Sequence, residues 1–225
     1  MEKLKKHFIK DQMGKRLIMC VLGVTVCAMS VSFFKRAMMG VDPFQSLLAG
    51  LDLLVPISFG TLSMILNAVF LVGGMLMDRH YVGIGTFMVL FLSGYVVDFS
   101  TNLLTKLLPD PSLPVRILCL IIGIVVMCIA AAFYTTADLG VSAYDQIALI
   151  LAYTYHRGPF RFVRIGTDFV CVALGVVLFF LAGGKFSGIG AVLGVGTIAA
   201  AFFMGPLIDL FIRKLAEPVL RSRTL

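Results

Sequence analysis

The stretch that decides the fold is Ala137-Asp138-Leu139-Gly140-Val141-Ser142-Ala143-Tyr144-Asp145, because a related stretch stands 100 residues earlier in the chain. The earlier copy reads Ala37-Met38-Met39-Gly40-Val41-Asp42-Pro43-Phe44-Gln45. Each copy ends a long apolar run, turns at a glycine and opens a short helix. Ser142 and Asp42 stand at the N-cap positions of these helices, and both residue types are good N-caps. The chain is therefore predicted to be a duplicated unit.

The duplication extends on both sides of these turns. Downstream, Gly83-Ile84-Gly85-Thr86 is echoed by Gly194-Val195-Gly196-Thr197, and an aspartate follows the first glycine by 15 residues in both copies. These aspartates are Asp98 and Asp209. Upstream, at the offset of the turns, the matched residues are Arg16, Gly23, Val26 and Phe33 with Arg116, Gly123, Val126 and Phe133.

The composition indicates a membrane protein. Hydrophobic residues make up 60% of the 225-residue chain, charged residues make up 14%, and the mean hydropathy is +1.02. These values are not those of a soluble globular domain. Apolar runs of about 20 residues recur, which is the length that a helix needs to cross the hydrocarbon core of a bilayer. The net charge of +7 comes from residues at segment ends, so it indicates contact with anionic lipids and not nucleic-acid binding.

The chain is predicted to be an all-α polytopic membrane protein with about six transmembrane helices in two inverted three-helix repeats. Two further apolar segments, 44–55 and 143–155, are too short to cross upright and are predicted to be re-entrant or interfacial. Three spans per unit make the second unit enter from the opposite side. If the short helices crossed fully, each unit would have four spans and the repeat would be parallel. The predicted spans are 17–34, 57–77, 82–104, 115–134, 160–182 and 188–212.

The domain organisation follows from these spans and from the charges between them. Fourteen of the 19 lysines and arginines fall in segments that lie on one side of this topology, which places both termini in the cytoplasm. The predicted parts are a basic cytoplasmic segment at 1–16, a first repeat at 17–108, a Pro-rich linker at 109–114, a second repeat at 115–212 and a basic cytoplasmic tail at 213–225.

The order of these motifs resembles that of the YczE-like bacterial integral membrane proteins, which are relatives of the YitT family. The motifs are Gly40 to Phe44 with its short helix, Gly83 to Asp98, Leu139 to Asp145, and Arg164 with Asp168. The chain departs from the family pattern at Gln45 and at Ala143-Tyr144. The resemblance implies a transporter-like protein of the bacterial cytoplasmic membrane.

The candidate site residues are charged groups within apolar segments, together with the duplicated turns. Charged side chains inside hydrocarbon are costly and usually face a cavity or the bundle interior. Arg164 and Asp168 are four residues apart and can pair on one helical face, either as a site or as a structural pair. Asp98 and Asp209 are candidates for ion coupling. For Asp209 a structural role at a helix end is expected before a coupling role, and Asp98 is the better candidate. The residues predicted to bind the substrate are Gly40, Asp42, Gly140, Ser142, Asp145, Arg164 and Asp168.

The predicted function is a secondary transporter or channel for a small solute. The positive ends of two re-entrant helices would favour an anionic or zwitterionic solute. Two alternatives stay open: a substrate-binding subunit of a multi-component importer, and a non-transporting accessory or receptor protein. No enzyme motif is present, and the five cysteines lie in apolar runs without metal-ligand spacing, so no catalytic residue, metal or cofactor is expected. Partners are expected to be the solute, the lipid bilayer, and another copy or a partner membrane protein.

Overall fold

The computed structural model describes residues 12–57, 59–184, 189 and 193–222, with the side chains of Phe59, Gly60 and Gly94 excepted. Every regular element in these ranges is a helix, which confirms the all-α prediction there. The helices are α1 (Met13–Ala37), α2 (Pro43–Asp52), α3 (Phe59–Met77), α4 (Ile84–Leu107), α5 (Leu113–Ala137), α6 (Ala143–Leu149), α7 (Phe160–Leu181), α8 (Val195–Phe211) and α9 (Glu217–Arg221).

Several of these helices are suited to crossing a membrane. Four are long and apolar enough, namely α1, α5, α7 and the continuous stretch Val195–Arg221. A fifth is α4 if its two halves form one span, since Ile84–Ser93 and Tyr95–Leu107 are inclined by 42°. Within the described residues, Thr61–Met77 of α3 is a shorter apolar helix. The fold is therefore consistent with a multi-pass membrane protein, and the count of six spans stays a prediction.

Helices α1 and α5 form the centre of the molecule and run antiparallel. The guanidinium of Arg16, near the start of α1, donates to the carbonyl of Ala137 at the end of α5 over 3.1 Å. At the opposite end, Arg116 near the start of α5 donates to the carbonyl of Ala37 over 2.8 Å. Gly23 lets α1 approach the backbone of α5, because a Cβ there would lie 2.8 Å from the backbone nitrogen of Tyr134. The matched residues of the two units thus meet at both ends.

The two units also exchange helices. Helix α2 packs against α7, and α3 packs against α6. Gly175 on α7 lies against the backbone of Ser46, and Gly74 on α3 lies against the side chain of Gln146. Ser46 and Gln146 are 100 residues apart, and Gly74 and Gly175 are 101 apart, so the two contacts are equivalent in the duplicated sequence. Each short helix is therefore held by the other unit.

The Gly-x-Gly-Thr motifs pack on the duplicated turns. The N–H of Gly85 donates to the carbonyl of Leu139 over 2.8 Å, and the N–H of Gly196 donates to that of Met39 over 2.7 Å. A side chain at Gly83 or Gly194 would overlap the backbone of the facing turn. The glycines of these motifs are explained by close approach of two backbones, as the sequence favoured.

The short helix of the second unit begins and ends at the same end of the bundle. Asp138, in the turn before α6, pairs with His80 at 3.0 Å. A π-helical turn, Ile150–Thr154, extends α6, and the Thr154 hydroxyl donates to Asp78 over 2.7 Å. Asp78 and His80 belong to one short connection. Both ends of the segment 138–154 therefore lie at the same end of the bundle, and the segment turns back without crossing. This geometry fits the predicted re-entrant or interfacial segment.

Two predicted boundaries differ from the structure. Helix α5 begins at Leu113, inside the predicted linker 109–114, because Pro114 stands in the first turn, where proline is well tolerated. The segment predicted as a tail from 213 continues α8 through a π-helical turn, Ile212–Ala216, to Arg221. Most of the predicted basic segment 1–16 lies outside the described residues, as does the start of the predicted span 188–212.

Candidate functional site

The candidate site is an ion cluster that lies between α5, α6 and α7. Arg164 on α7 pairs through Nη1 with Asp145 on α6 and through Nε with Asp168 at 3.1 Å. The hydroxyl of Tyr134 on α5 donates to Asp145, and the hydroxyl of Tyr144 on α6 donates to Asp168. Three of the predicted site residues, Asp145, Arg164 and Asp168, are thus brought into direct contact.

The cluster is buried, and its formal charges do not cancel. Arg164 is 4% exposed and Asp168 is 0% exposed, whereas the side chain of Asp145 is 14% exposed. Asp168 is the ninth residue of α7, which places it about 12 Å along the helix from Phe160 at a rise of about 1.5 Å per residue. Two carboxylates face one guanidinium, so the fully ionised cluster carries one excess negative charge. An excess charge in a dry environment favours uptake of a proton or exchange of a partner.

Aromatic rings cover the cluster on the side of the first unit. The guanidinium carbon of Arg164 lies 4.6 Å from the ring centroid of Tyr144. The Tyr144 ring lies 5.4 Å from Phe44 on α2 and 6.0 Å from Phe70 on α3. Phe44 and Phe70 are in turn 5.8 Å apart. The three rings form an apolar wall, called the aromatic wall below, which is built from both units.

The first unit carries neutral residues where the second unit carries the cluster. Helices α3 and α7 begin 101 residues apart, at Phe59 and Phe160, and the matched glycines Gly74 and Gly175 are also 101 residues apart. At this offset Ser63 corresponds to Arg164 and Asn67 corresponds to Asp168. Asn67 donates to the carbonyl of Ser63 over 2.9 Å, which replaces the ion pair by a neutral contact. By the offset of 100, the counterparts of Tyr134, Tyr144 and Asp145 are Phe34, Phe44 and Gln45.

The predicted turn residues Asp42 and Ser142 act as helix caps. The carboxylate of Asp42 accepts the N–H groups of Phe44 and Gln45 at 3.1 Å each, and the Ser142 hydroxyl accepts that of Asp145 at 3.0 Å. These capping bonds occupy three of the N–H groups at the two helix starts.

Gly40 and Gly140 hold the turns, with φ of 115° and 103°. The N–H of Val41 donates to the Thr197 hydroxyl over 3.0 Å, and that of Val141 donates to the Tyr81 carbonyl over 3.1 Å. The turns therefore contact the facing unit, and their part in solute binding stays a prediction.

The structure does not bring Asp98 and Asp209 into the cluster. Asp98 is exposed on α4. Asp209 on α8 pairs with Arg213 at 3.1 Å, one helical turn away. Neither carboxylate has a hydrogen bond or ion pair with Arg164 within the described ranges. The suggested coupling role of the two residues stays a prediction.

Sequence reasoning missed Tyr134, Tyr144 and the aromatic wall. A signal was present in the duplication, because both tyrosines align with phenylalanines of the first unit and Asp145 aligns with Gln45. Two tyrosines in place of phenylalanines and one aspartate in place of a glutamine indicate that the second unit has the more polar interior. The wall residues Phe44 and Phe70 give no such signal, since phenylalanine is common in apolar helices.

A cavity of about 380 Å³ opens at the end of the bundle where α6 begins. Thr135 lines this cavity, and the preceding residue, Tyr134, donates to Asp145 of the cluster. Its polar lining residues include His80, Tyr81, Asp138, Tyr153, Glu217 and Arg221.

Comparisons with known proteins identify a family without an assigned activity. The chain is 20% identical over 190 residues to the uncharacterized protein YyaS of Bacillus subtilis (strain 168). The aligned region covers 84% of this chain and 89% of that protein. No solved structure matches the chain. The resemblance to YczE-like proteins is not tested by these matches and stays a prediction. A family model matches residues 14–213, and the chain therefore belongs to the family of unknown function DUF6198.

Proposed function

We propose that this protein is a small secondary transporter or channel for an anionic or zwitterionic solute, with Arg164 as the group that binds the solute's negative charge. The observation that carries the proposal is the ion cluster of Arg164, Asp145 and Asp168. Ionised side chains within membrane helices are expensive, and they mark substrate or ion pathways more often than they mark simple scaffolds. A guanidinium also suits the planar, two-point recognition of a carboxylate.

The architecture that we propose is six spans in two inverted units. The antiparallel contact of α1 with α5 supports it, since these helices start the two units and carry matched residues. The equivalent contacts of Gly74 with Gln146 and of Gly175 with Ser46 also support it. Inverted repeats place a central site where the two units meet, and rocking of one unit against the other then opens the site alternately.

The proposed path starts at the cavity beside Tyr81 and Asp138. This end also holds Arg16, Arg79 and Arg221, which the distribution of positive charge assigns to the cytoplasm. We propose a bacterial cytoplasmic membrane location with both termini inside and with anionic lipids against the basic ends. Entry from this side requires movement near Tyr134, because the residues that line the cavity do not include Arg164 or its two aspartates.

Uptake into proteoliposomes that contain only this chain tests transport. We expect a pool of small radiolabelled carboxylates and amino acids to yield at least one accumulated solute, and Arg164→Gln to abolish its uptake. Asp110→Asn is the matched control, because it removes an exposed carboxylate from the loop between the units. Absence of uptake for the whole pool would favour a subunit of a larger importer or an accessory protein. Co-purification with an ATPase complex would then distinguish these two.

Single-cysteine labelling tests the topology in a variant whose five native cysteines are replaced. Cysteine at Lys35 should react with an impermeant reagent in intact cells, and cysteine at Arg79 or Arg221 should not. Equal labelling at Lys35 and Arg79 would contradict the inverted six-span arrangement.

A further inference from the structure

We propose that Asp145 occupies the solute's place on Arg164 in the empty protein, and that a small monocarboxylate with an apolar body displaces it as Asp145 takes up a proton. The inference rests on the proposed function and names its substrate class and its coupling. It also assigns different roles to the two aspartates of the cluster.

Asp168 has the features of a fixed partner of Arg164. Both residues are on α7, four positions apart, and Asp168 is 0% exposed and also accepts the Tyr144 hydroxyl. A pair on one rigid helix keeps its geometry when neighbouring helices move. Asp168 therefore holds the guanidinium in place and keeps it oriented.

Asp145 has the features of an exchangeable partner. It lies on α6, a helix of 7 residues that continues as a π-helical turn, and it is the more exposed of the two acids. It reaches Arg164 through Nη1, whereas Asp168 contacts Nε. The Tyr134 hydroxyl holds its second oxygen and stabilises the ionised form. A small shift of α6 separates Asp145 from Arg164 and carries Tyr144 with it, whereas the Arg164–Asp168 pair lies within α7 and stays intact.

The charge balance of the exchange is simple. Asp145, Asp168 and Arg164 together carry −1 when they are all ionised. Protonation of Asp145 removes one negative charge, and the bound carboxylate restores it, so the buried cluster keeps the same charge before and after. One proton is taken up for each monocarboxylate bound. The other charged and titratable groups around Asp145 and Arg164, within the part of the chain that the structure describes, are Asp42, Tyr134, Tyr144, Cys27, Cys128 and Cys171.

The aromatic wall defines the rest of the solute. Phe44 and Phe70 lie against the same Tyr144 ring that stacks on the Arg164 guanidinium. A ligand whose carboxylate reaches Arg164 therefore meets the Tyr144 ring, which has Phe44 and Phe70 behind it. An apolar or aromatic body gains from that contact, whereas inorganic phosphate offers no apolar surface to it.

Calorimetry of the purified full chain with benzoate and with phosphate, between pH 5.5 and pH 8, tests the inference. We expect benzoate affinity to rise about tenfold for each unit by which the pH falls, with uptake of about one proton per benzoate. Asp145→Asn should bind benzoate at every pH with no proton uptake. Asp110→Asn should behave as the wild type does, because its carboxylate lies outside the bundle interior. Phosphate should not compete.

Tyr134→Phe provides a second test if Asp145→Asn does not fold. It removes a donor to ionised Asp145, so the pH dependence should persist and benzoate should bind about tenfold more tightly than to the wild type at each pH. Benzoate binding without pH dependence in the wild type would overturn the role of Asp145, and preferred binding of phosphate would overturn the substrate class. In either case uptake of another solute that depends on Arg164 would leave the proposed function standing. Absence of any Arg164-dependent uptake would remove the proposed function itself.

Discussion

The two units of this protein share their packing and differ in their chemistry. Gly74 and Gly175 make equivalent contacts with the facing unit, and so do the two Gly-x-Gly-Thr motifs. At the centre, however, the second unit places Arg164 and Asp168 where the first unit places Ser63 and Asn67. Shared contacts are those that both copies need to fold. The contacts found in one copy alone are therefore the ones to examine for function.

The largest difference between the units should be found at Arg164. Arg164→Gln leaves two buried carboxylates without their guanidinium, which we expect to destabilise the protein by about 3–5 kcal/mol and to abolish uptake. Ser63→Ala, at the matched position, should change stability by less than about 1 kcal/mol. Thermal unfolding in detergent and proteoliposome uptake measure the two effects.

A double variant separates folding from function at this position. Arg164→Gln with Asp168→Asn removes one of the two stranded carboxylates and should recover part of the stability, because only Asp145 is then left without its guanidinium. We expect it to stay inactive. Recovery of uptake with the folded state would show that the pair is structural only.

The duplicated turns should respond alike in the two units. In Gly140→Val the Cβ would lie 2.5 Å from the backbone nitrogen of Gly83, and in Gly40→Val it would lie 2.6 Å from the Thr197 hydroxyl. Both glycines have positive φ, which a β-branched residue does not adopt readily. Each variant should lose about 2–5 kcal/mol of stability. Gly166→Ala, which has open space around it, is the control.

Fluorescence size-exclusion chromatography of the two turn variants gives the comparison directly. Loss of folded protein in both indicates that the turns are shared scaffold. Loss in one alone would show that the units depend on their turns unequally. If both fold and only solute uptake is lost, the turns contact the solute, as the sequence predicts.

Tyr144 is expected to show an intermediate effect. Tyr144→Phe makes the residue identical to its counterpart Phe44 and removes the donor to Asp168. We expect a loss of about 1–3 kcal/mol and weaker uptake, because a buried carboxylate loses a hydrogen bond. Tyr95→Phe, at a position that is 81% exposed, is the matched control. Equal unfolding temperatures for the two variants would show that the Tyr144 hydroxyl adds nothing.

The sequence predicted the parts of this fold that depend on repetition and hydropathy. The duplicated turns, the short helices and the pairing of Arg164 with Asp168 follow from spacing and apolar length. The contact of Asp145 with Arg164 does not, since the residues are 19 positions apart and on different helices. It depends on how α6 lies across α7, and the exchange of helices between the units determines that. The continuation of α8 to Arg221 was missed because charged residues follow Ile212, and a charge does not end a helix.

The smallest effect concerns the two ends of the bundle. At one end Asp138 pairs with His80 and Asp78 accepts from Thr154, whereas at the other end the turn carries Met38 in place of Asp138. The Thr154 hydroxyl and the His80 N–H lower the pKa of Asp78, so its ionised form is favoured in the folded protein. A carboxylate whose pKa is lowered on folding stabilises the folded protein at pH values above its pKa in the unfolded chain, which is about 3.9. This contribution disappears as the pH falls through its pKa in the folded protein.

Asp78→Asn should therefore reduce stability slightly at pH 6 and make no difference at the acid limit. Asp78 is only partly buried at the end of the bundle, so we expect only about 0.5 kcal/mol. Differential scanning fluorimetry at pH 6 and at pH 3, with Asp110→Asn as the control, measures this change. A difference that widens on acidification would contradict the assignment. A difference near 3 kcal/mol at pH 6 would show that the Asp78–Thr154 contact contributes far more than a partly exposed hydrogen bond does.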